Sequence, residues 1–294
     1  MPGERPFLPY GRHFIEDDDI EAVTDVLRGE FLTTGPVVDA FENKLAEVTG
    51  ARHVVSCSSG TAALHLTASA LDLGPGDWAI VPAMTFLATA NAARYVGADV
   101  IFADVDAETG LMTSETFEAA RATAMGSVKA VYPVHINGQT ANMAAIRQVA
   151  GDMPIVEDAC HALGGVHKAA NGEWVPVGSC AYSEMSIFSF HPVKTVAMGE
   201  GGAVTTNDDH LAERLRRHRN IGMNRNPETI ENAGQAFDTS GEINPWYYEM
   251  PELGLNYRAS AVHCALGLNQ LGKLERFVGI RNRLVERYAE ALAP

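Results

Sequence analysis

The stretch SIFSFHPVKTVAMGEGGAVTTND, residues 186–208, decides the fold prediction for this chain. Its two ends, Ser186–Phe190 and Ala203–Thr206, are short apolar and β-branched runs typical of buried strands. Between them Lys194 follows a His-Pro turn and precedes a glycine cluster. A lysine amine that is partly neutral attacks carbonyl groups, so this position favours covalent chemistry. Taken alone, however, a lysine in such a loop is more often an ordinary surface residue.

Strand and helix patterns alternate through most of the chain. The further predicted strands are His53–Cys57, Trp78–Val81, Val100–Ala103, Ala130–Val134 and Ile155–Glu157. Helical patterns follow several of them, for example at Thr61–Leu71 and Asn142–Ala150. This alternation predicts an α/β protein with a mostly parallel sheet covered by helices on both faces. Such sheets bind ligands beyond the carboxyl ends of their strands, so the residues that follow each strand are the candidates for a site.

Composition excludes several classes of protein. The 294 residues are 46% hydrophobic, which predicts one large domain and part of a second. The net charge of -15 argues against a nucleic-acid partner, which requires clustered Lys and Arg. No apolar run approaches the roughly 20 residues that span a bilayer, so we expect a cytoplasmic protein without a membrane partner. The four cysteines are scattered without a CxxC pair, so no metal site is expected.

The first strand is followed by Ser58-Ser59-Gly60-Thr61, where small residues permit a sharp turn into a helix. The free N–H groups and the dipole of a helix N-terminus favour an anion such as a phosphate. A simple capped helix is the alternative, since serine and threonine are common caps. Neither this turn nor the run at 199–202 has the spacing of a dinucleotide-binding motif, and a Walker A loop is absent.

The fifth strand ends at Asp158, and an ionised carboxylate there is suited to the pyridine nitrogen of pyridoxal phosphate (PLP). His161 is a candidate to bind the ring hydroxyl or to orient Asp158, although a lone histidine is more often structural. Phe86 follows the second strand and is a candidate to stack on the ring, with core packing as the alternative. The polar segment 220–253 contains Trp246, Tyr247 and Tyr248 and is expected to be a binding or interface loop.

Several motifs resemble one family in both order and spacing. They are FLTTGPVVDAFE (31–42), SSGTAALHL (58–66), PAMTFLATANA (82–92), PVHINGQ (133–139), EDACHALG (157–164), FSFHPVK (188–194), GEGGAVTTND (199–208) and GLNYR (254–258). With these the chain resembles the DegT/DnrJ/EryC1/StrS family of PLP-dependent nucleotide-sugar aminotransferases. Within that family it is most similar to the branch that aminates C4 of a UDP-linked 4-keto-6-deoxy-N-acetylhexosamine on the route to pseudaminic acid.

The resemblance implies the three-layer α/β/α fold of aspartate-aminotransferase-like enzymes (fold type I) and a role for each matching residue. Lys194 would be the Schiff-base lysine and proton shuttle, Asp158 the partner of the pyridine nitrogen, His161 its neighbour and Phe86 the stacking residue. The implied cofactor contacts are completed by Ser59, Gly60, Thr61 and Ser189, and by Asn256 from a second subunit. The implied sugar site comprises Tyr10, Leu32, Thr33, Ser59, Ser189 and Asn256.

The same resemblance implies a homodimer with shared active sites, a nucleotide-sugar substrate and L-glutamate as the amino donor. A related branch that dehydrates sugars carries histidine in place of the lysine, so Lys194 favours transamination. The implied domains are an N-terminal arm (1–30), a large PLP-binding domain (31–258) and the start of a small C-terminal domain (259–294) that we expect to be truncated. Amination of a different nucleotide-linked keto-sugar, or a non-catalytic regulatory protein on this fold, are the alternatives.

Overall fold

The computed structural model describes Phe7, Pro9 and residues 11–169 and 172–293. The strands in it are β1 (His53–Cys57), β2 (Asp77–Pro82), β3 (Asp99–Ala103), β4 (Ser127–Val131), β5 (Val156–Asp158), β6 (Val166–Lys168), β7 (Trp174–Pro176), β8 (Met185–Ser189) and β9 (Gly202–Thr206). The helices are α1 (Asp17–Arg28), α2 (Pro36–Thr49), α3 (Gly60–Ala70), α4 (Leu87–Tyr95), α5 (Ser114–Ala122), α6 (Met143–Ala150), α7 (Asp209–Arg219), α8 (Ala233–Ala236), α9 (Ala261–Leu271) and α10 (Leu274–Ala291). None of these described helices is long and apolar enough to cross a membrane.

Seven strands form one continuous sheet in the order β1-β9-β8-β5-β4-β2-β3. Two groups of paired strands, β1-β9-β8-β5 and β3-β2-β4, are joined by parallel bridges between Val131 and Ile155 and between Val134 and Asp158. Within this sheet β9 runs antiparallel to both β1 and β8, and the other strand pairs are parallel. The predicted mostly parallel sheet is therefore confirmed.

Alternating side chains of the central strands pack against helices on opposite faces. Ile187 lies in an apolar cluster with residues of α3, α4 and α7, whereas its neighbour Phe188 lies in a second cluster with residues of α2 and α9. Because successive side chains of a strand point to opposite faces, a strand covered on both sides is buried along its length, as 185–188 is, with Ser186 as its one polar residue. The predicted three-layer α/β/α arrangement is confirmed.

Some predicted boundaries differ from the observed ones. The strand predicted at Ala130–Val134 lies at Ser127–Val131, since Pro133 has no N–H with which to continue a ladder. The sequence also shows a helical pattern at Arg281–Ala293, and the helix that contains it, α10, begins earlier, at Leu274. The short hairpin β6–β7 is an addition that the sequence pattern did not indicate.

The long segment predicted as a loop is anchored at both ends. The start and the end of the segment touch at Gly222 and Glu252. This contact requires glycine, because a Cβ on Gly222 would lie 1.8 Å from the carbonyl oxygen of Glu252. The Glu252 carboxylate also pairs with Arg217 at 2.9 Å and with His218 at 2.9 Å, both near the end of α7. Further out, the side chain of Trp246 is 65% exposed. The segment is thus fixed at its base and presents an aromatic side chain to the surface.

Helix α1 is attached to α9 and α10 by an ionic cluster in which only Asp19 is fully buried. The Lys273 ammonium contacts carboxylate oxygens of Asp18 at 2.7 Å, Asp19 at 2.8 Å and Glu16 at 3.1 Å. Asp19 is fully buried and also accepts a hydrogen bond from Gln270 at 2.8 Å. Since one ammonium serves three carboxylates, its removal would leave the buried charge of Asp19 without a cationic partner.

We expect Lys273→Met to lower the free energy of unfolding by about 3 kcal/mol, measured by urea titration. Burial alone would raise the pKa of Asp19, but hydrogen bonds from Lys273 and other donors outweigh it and lower the pKa. The stabilisation is therefore complete above the ordinary aspartate pKa, about 3.9, and is lost as the pH falls through the lowered pKa. In the variant this acid-side loss should be smaller.

The matched control is Lys44→Met, which removes an exposed pair with Glu47. Such surface pairs contribute at most about 1 kcal/mol, so the control should unfold close to wild type. Equal effects of the two substitutions would contradict the assignment of Lys273 as the anchor of α1.

Candidate active site

A cavity of about 710 Å³ opens beyond the carboxyl ends of β1, β5 and β8. Eight of the predicted site residues line it, namely Ser59, Gly60, Thr61, Phe86, Asp158, His161, Ser189 and Lys194. Their convergence follows from topology, because the carboxyl ends of parallel strands meet at one edge of the sheet.

One wall of the cavity is the start of α3. Ser59 caps this helix, its Oγ accepting a hydrogen bond from the N–H of Ala62 at 3.1 Å. A Cβ on Gly60 would lie 2.7 Å from Cβ of Ser189, and one on Gly202 would lie 2.2 Å from the carbonyl oxygen of Ser59. Glycine at both positions lets β8 and β9 approach the helix closely. The free N–H groups of α3 and the Ser189 hydroxyl therefore lie together, which is the arrangement of an anion site.

Asp158 forms the opposite pole of the cavity and is only 5% exposed. Its Oδ2 accepts a hydrogen bond from Thr89 at 2.8 Å, and its Oδ1 accepts one from the N–H of Cys160 at 3.3 Å. The Thr89 hydroxyl is in turn 2.8 Å from that of Thr85. Among the residues that the structure describes, no cationic side chain forms an ion pair with Asp158. A buried carboxylate of this kind is costly unless a ligand supplies a positive partner.

His161 lies between these poles in a defined tautomeric state. Its Nδ1 accepts a hydrogen bond from the N–H of Asn137 at 3.2 Å, so in the neutral ring the proton is on Nε2. Asn137 adopts a left-handed backbone conformation with φ 55°. Burial, followed by the charge of Lys194, lowers the pKa of His161. The ring is therefore neutral at pH 7 and offers an N–H donor to the cavity.

Lys194 lies in a loop, residues 190–201, that is closed at its base. Ser189 pairs with Gly202 across β8 and β9, and the N–H groups of Phe190 and Met198 each bond a backbone oxygen of the same loop at 2.9 Å. The Lys194 N–H bonds the carbonyl of His191 at 2.8 Å in a tight turn. A stiff loop of this kind presents the lysine amine to the cavity without an acidic partner among the described residues.

Three further predicted contacts, Leu32, Thr33 and Asn256, do not line the cavity. Thr33 pairs with Ser260 in an isolated bridge, and Leu32 beside it is 54% exposed. Asn256 is exposed and pairs with Asn220 in a bridge. Tyr10 lies outside the described residues. Because Asn256 was predicted to act from a second subunit, its role and those of the other three remain predictions.

Among the polar or reactive side chains at this site that sequence reasoning did not single out are Thr89, Cys160 and Arg281. Phe86, by contrast, was predicted and lies at the cavity wall with 72% of its surface exposed. An exposed phenyl ring at a cavity wall is available for stacking. Thr89 could have been noticed as a polar residue on an otherwise small, buried face of α4.

Behind the cavity, Glu157 points away from Asp158 into a buried polar cluster. Its Oε2 lies 2.8 Å from Nε2 of both His135 and His167, and Ser183 donates to its other oxygen. Burial alone would raise the pKa of Glu157, but hydrogen bonds from the two histidines outweigh it and lower the pKa. Nδ1 of His135 accepts from the N–H of Ala141, so its Nε2 carries the proton and is not free to bind a metal. The cluster supports β5 rather than forming a metal centre.

The described residues fit PLP. The carboxylate of Asp158, which has no cationic partner among the described residues, suits a pyridinium N–H. The glycine-lined start of α3 suits the phosphate. Lys194 supplies the amine that such a cofactor requires. Fold and cavity together define a PLP-dependent aminotransferase of fold type I.

The chain belongs to the DegT/DnrJ/EryC1/StrS aminotransferase family, which it matches over residues 13–294. Solved structures similar to it include a Streptococcus pneumoniae protein described as the sugar aminotransferase Spr1654, in its PMP form, at 26% identity and TM-score 0.83, with 97% of this chain and 71% of that chain covered. Another is Helicobacter pylori PseC, an aminotransferase of pseudoaminic acid biosynthesis, at 25% identity and TM-score 0.82, with 97% and 70% covered. A family member from Brucella abortus is 32% identical, with TM-score 0.79 and 94% and 69% covered. The chain is thus a PLP-dependent sugar aminotransferase.

Proposed function

We propose that the chain transfers an amino group from L-glutamate to the C4 ketone of a UDP-4-keto-6-deoxy-N-acetylhexosamine. The observation that carries transamination is the placement of Lys194, Asp158 and the start of α3 around one cavity. The choice of sugar is supported by the sequence resemblance to the pseudaminic acid branch and by the structural likeness to PseC.

In this proposal each residue has a physical task. The N–H groups at Gly60 and Thr61 and the hydroxyl of Ser189 hold the phosphate, and Asp158 accepts the ring N–H. When bound, PLP supplies a carbonyl for the amine and a ring that accepts electrons. Lys194 would move the proton between the nitrogen-bearing carbon of the substrate and the aldehyde carbon of the cofactor, in opposite directions in the two half-reactions, because its amine opens onto the cavity. His161 donates from Nε2 to the ring hydroxyl.

A second keto-sugar is the alternative, since a solved structure similar to this chain is DesI with its TDP-sugar product. The test is turnover on a panel of keto-sugars that differ in nucleotide and in the N-acetyl group. The proposal requires the highest kcat/KM on the UDP-linked N-acetyl substrate. A preference for a TDP-linked sugar without the N-acetyl group would favour the alternative. No turnover of any sugar, with no response to glutamate, would favour a regulatory role.

We also propose that the enzyme is a cytoplasmic homodimer in which Asn256 completes the site of the other subunit. This is supported by the exposure of Asn256 and by the exposed aromatic side chains Trp246 and Tyr248 of the anchored segment, which are suited to an interface.

Mixing two inactive variants tests the shared site. Lys194→Ala and Asn256→Ala dimers, co-refolded or co-expressed, should regain activity, because one site of each mixed dimer then has both intact residues. Light scattering establishes the dimer independently. Mixed dimers that stay as inactive as either parent would contradict a shared site.

A further inference from the structure

Arg281 reaches the cavity from α10, 87 residues after Lys194. Its Nη2 donates a hydrogen bond to the carbonyl oxygen of Lys194 at 2.9 Å. Close packing holds α10 in place, because a Cβ on Gly164 would lie 3.1 Å from the side chain of Val278. Gly164 lies in the loop that follows Asp158. The guanidinium is thus positioned by tertiary packing beside the reactive lysine.

The charge of Arg281 is not neutralised by the described part of the chain. Arg276, on the same helix, pairs with Glu16, whereas Arg281 forms no ion pair with a described residue and donates to the Lys194 carbonyl. Arg281 is exposed at the cavity wall, and partial desolvation lowers its pKa, although an arginine remains charged at neutral pH. Most of its N–H donors are therefore left for a ligand.

The acidic side chains of the cavity wall are Asp158 and Glu200. Asp158 already accepts from Thr89 and Cys160, and neither acid reaches Arg281 as an ion-pair partner. The phosphate-binding features, Ser189 and the start of α3, lie at another wall. An anion that fits Arg281 is therefore one brought to the amine of Lys194 by the substrate.

We propose that Arg281 binds a carboxylate of the amino donor, L-glutamate. The planar guanidinium matches a carboxylate with two parallel hydrogen bonds. The donor must place its amino group where the Lys194 amine acts, so its carboxylates lie close to that residue and within reach of Arg281. This assignment rests on the proposed function, and it names the residue that recognises the donor rather than the sugar.

The two half-reactions separate donor from acceptor. In stopped-flow absorbance with the PLP-loaded enzyme, Arg281→Gln should raise the KM for L-glutamate by about tenfold or more, as expected for a lost charge-assisted hydrogen bond. Arg281→Lys should be intermediate, because it keeps the charge and loses the planar fork. The reaction of the aminated enzyme with keto-sugar should stay within about twofold of wild type.

Calorimetry with glutarate, a dicarboxylate without an amine, gives a readout independent of turnover. Wild-type PLP-loaded enzyme should bind glutarate, and the affinity of Arg281→Gln for glutarate should be lower by about tenfold or more. The matched control is Arg283→Gln, an exposed arginine of the same helix outside the cavity wall. It should bind glutarate like wild type.

Equal glutarate affinity in wild type and Arg281→Gln would overturn the assignment. So would a defect confined to the keto-sugar half-reaction, which would place a nucleotide phosphate at Arg281 instead. Failure of the proposed function is visible separately, because wild-type enzyme would then show no change of its visible spectrum with L-glutamate.

Discussion

Replacing Lys194 with alanine is expected to abolish covalent attachment of PLP and to reduce transamination by about 10⁴-fold. The amine lies in a closed loop at the cavity and has no acidic partner among the described residues, so it is available both as nucleophile and as base. Arginine at 194 should be as inactive as alanine, since it keeps the charge but not the nucleophilic amine.

The attachment is measured by borohydride reduction of the loaded enzyme, proteolysis and mass spectrometry, which should place the cofactor on the peptide that contains Lys194. The control is Lys168→Ala, an exposed lysine on β6, which should retain attachment and activity. Recovery of the cofactor on another lysine of the wild-type protein would show that the assignment is wrong.

The second large effect is expected for Asp158→Asn, with opposite signs for the empty and the loaded enzyme. Without cofactor, Asp158 is a buried carboxylate that lacks a cationic partner, so the amide should stabilise the protein by about 2 kcal/mol. With cofactor, the variant loses the pairing with the ring nitrogen and should be less stabilised by PLP. Transamination should fall by about 10²- to 10³-fold, because a preorganised charge at the reacting ring is removed.

Thermal unfolding measures the change in stability of the variant both without PLP and with PLP bound. Asp152→Asn, an exposed position, is the control for loss of one negative charge and should shift neither curve appreciably. If Asp158→Asn destabilises the cofactor-free protein instead, the Thr89 and Cys160 hydrogen bonds satisfy the carboxylate fully, and the inferred need for a cationic ligand is wrong.

The sequence predicted the part of the site that follows from strand order. Gly60 and Asp158 follow predicted strands and Ser189 lies near the end of one, so a parallel sheet brings them to one edge. Lys194 lies in the loop that leaves the end of β8, so its position follows from the same strand order. Local patterns and topology therefore sufficed for the fold and for this convergence, whereas the role of Lys194 was implied by the family resemblance.

The contacts that sequence did not predict depend on helix docking and chain crossing. Thr89 meets Asp158 only because α4 packs against the end of β5, and Arg281 reaches Lys194 only because α10 lies on Gly164. Likewise, His135 and Glu157 occur in the quoted motifs, but their pairing with each other is a tertiary contact. Contacts between residues that are far apart in the sequence leave no periodic pattern in the sequence from which they could be predicted.

The closed base of the 190–201 loop has a consequence for how PLP is retained. Ser189 and Lys194 belong to one hairpin-like unit, so a phosphate held at Ser189 presents the aldehyde to the lysine amine at high effective concentration. The phosphate contact at Ser189 and the covalent bond to Lys194 then strengthen each other, as in bidentate binding. In the proposed reaction the lysine amine is released from the cofactor during turnover, and the phosphate contacts, together with Asp158, would then keep the cofactor bound.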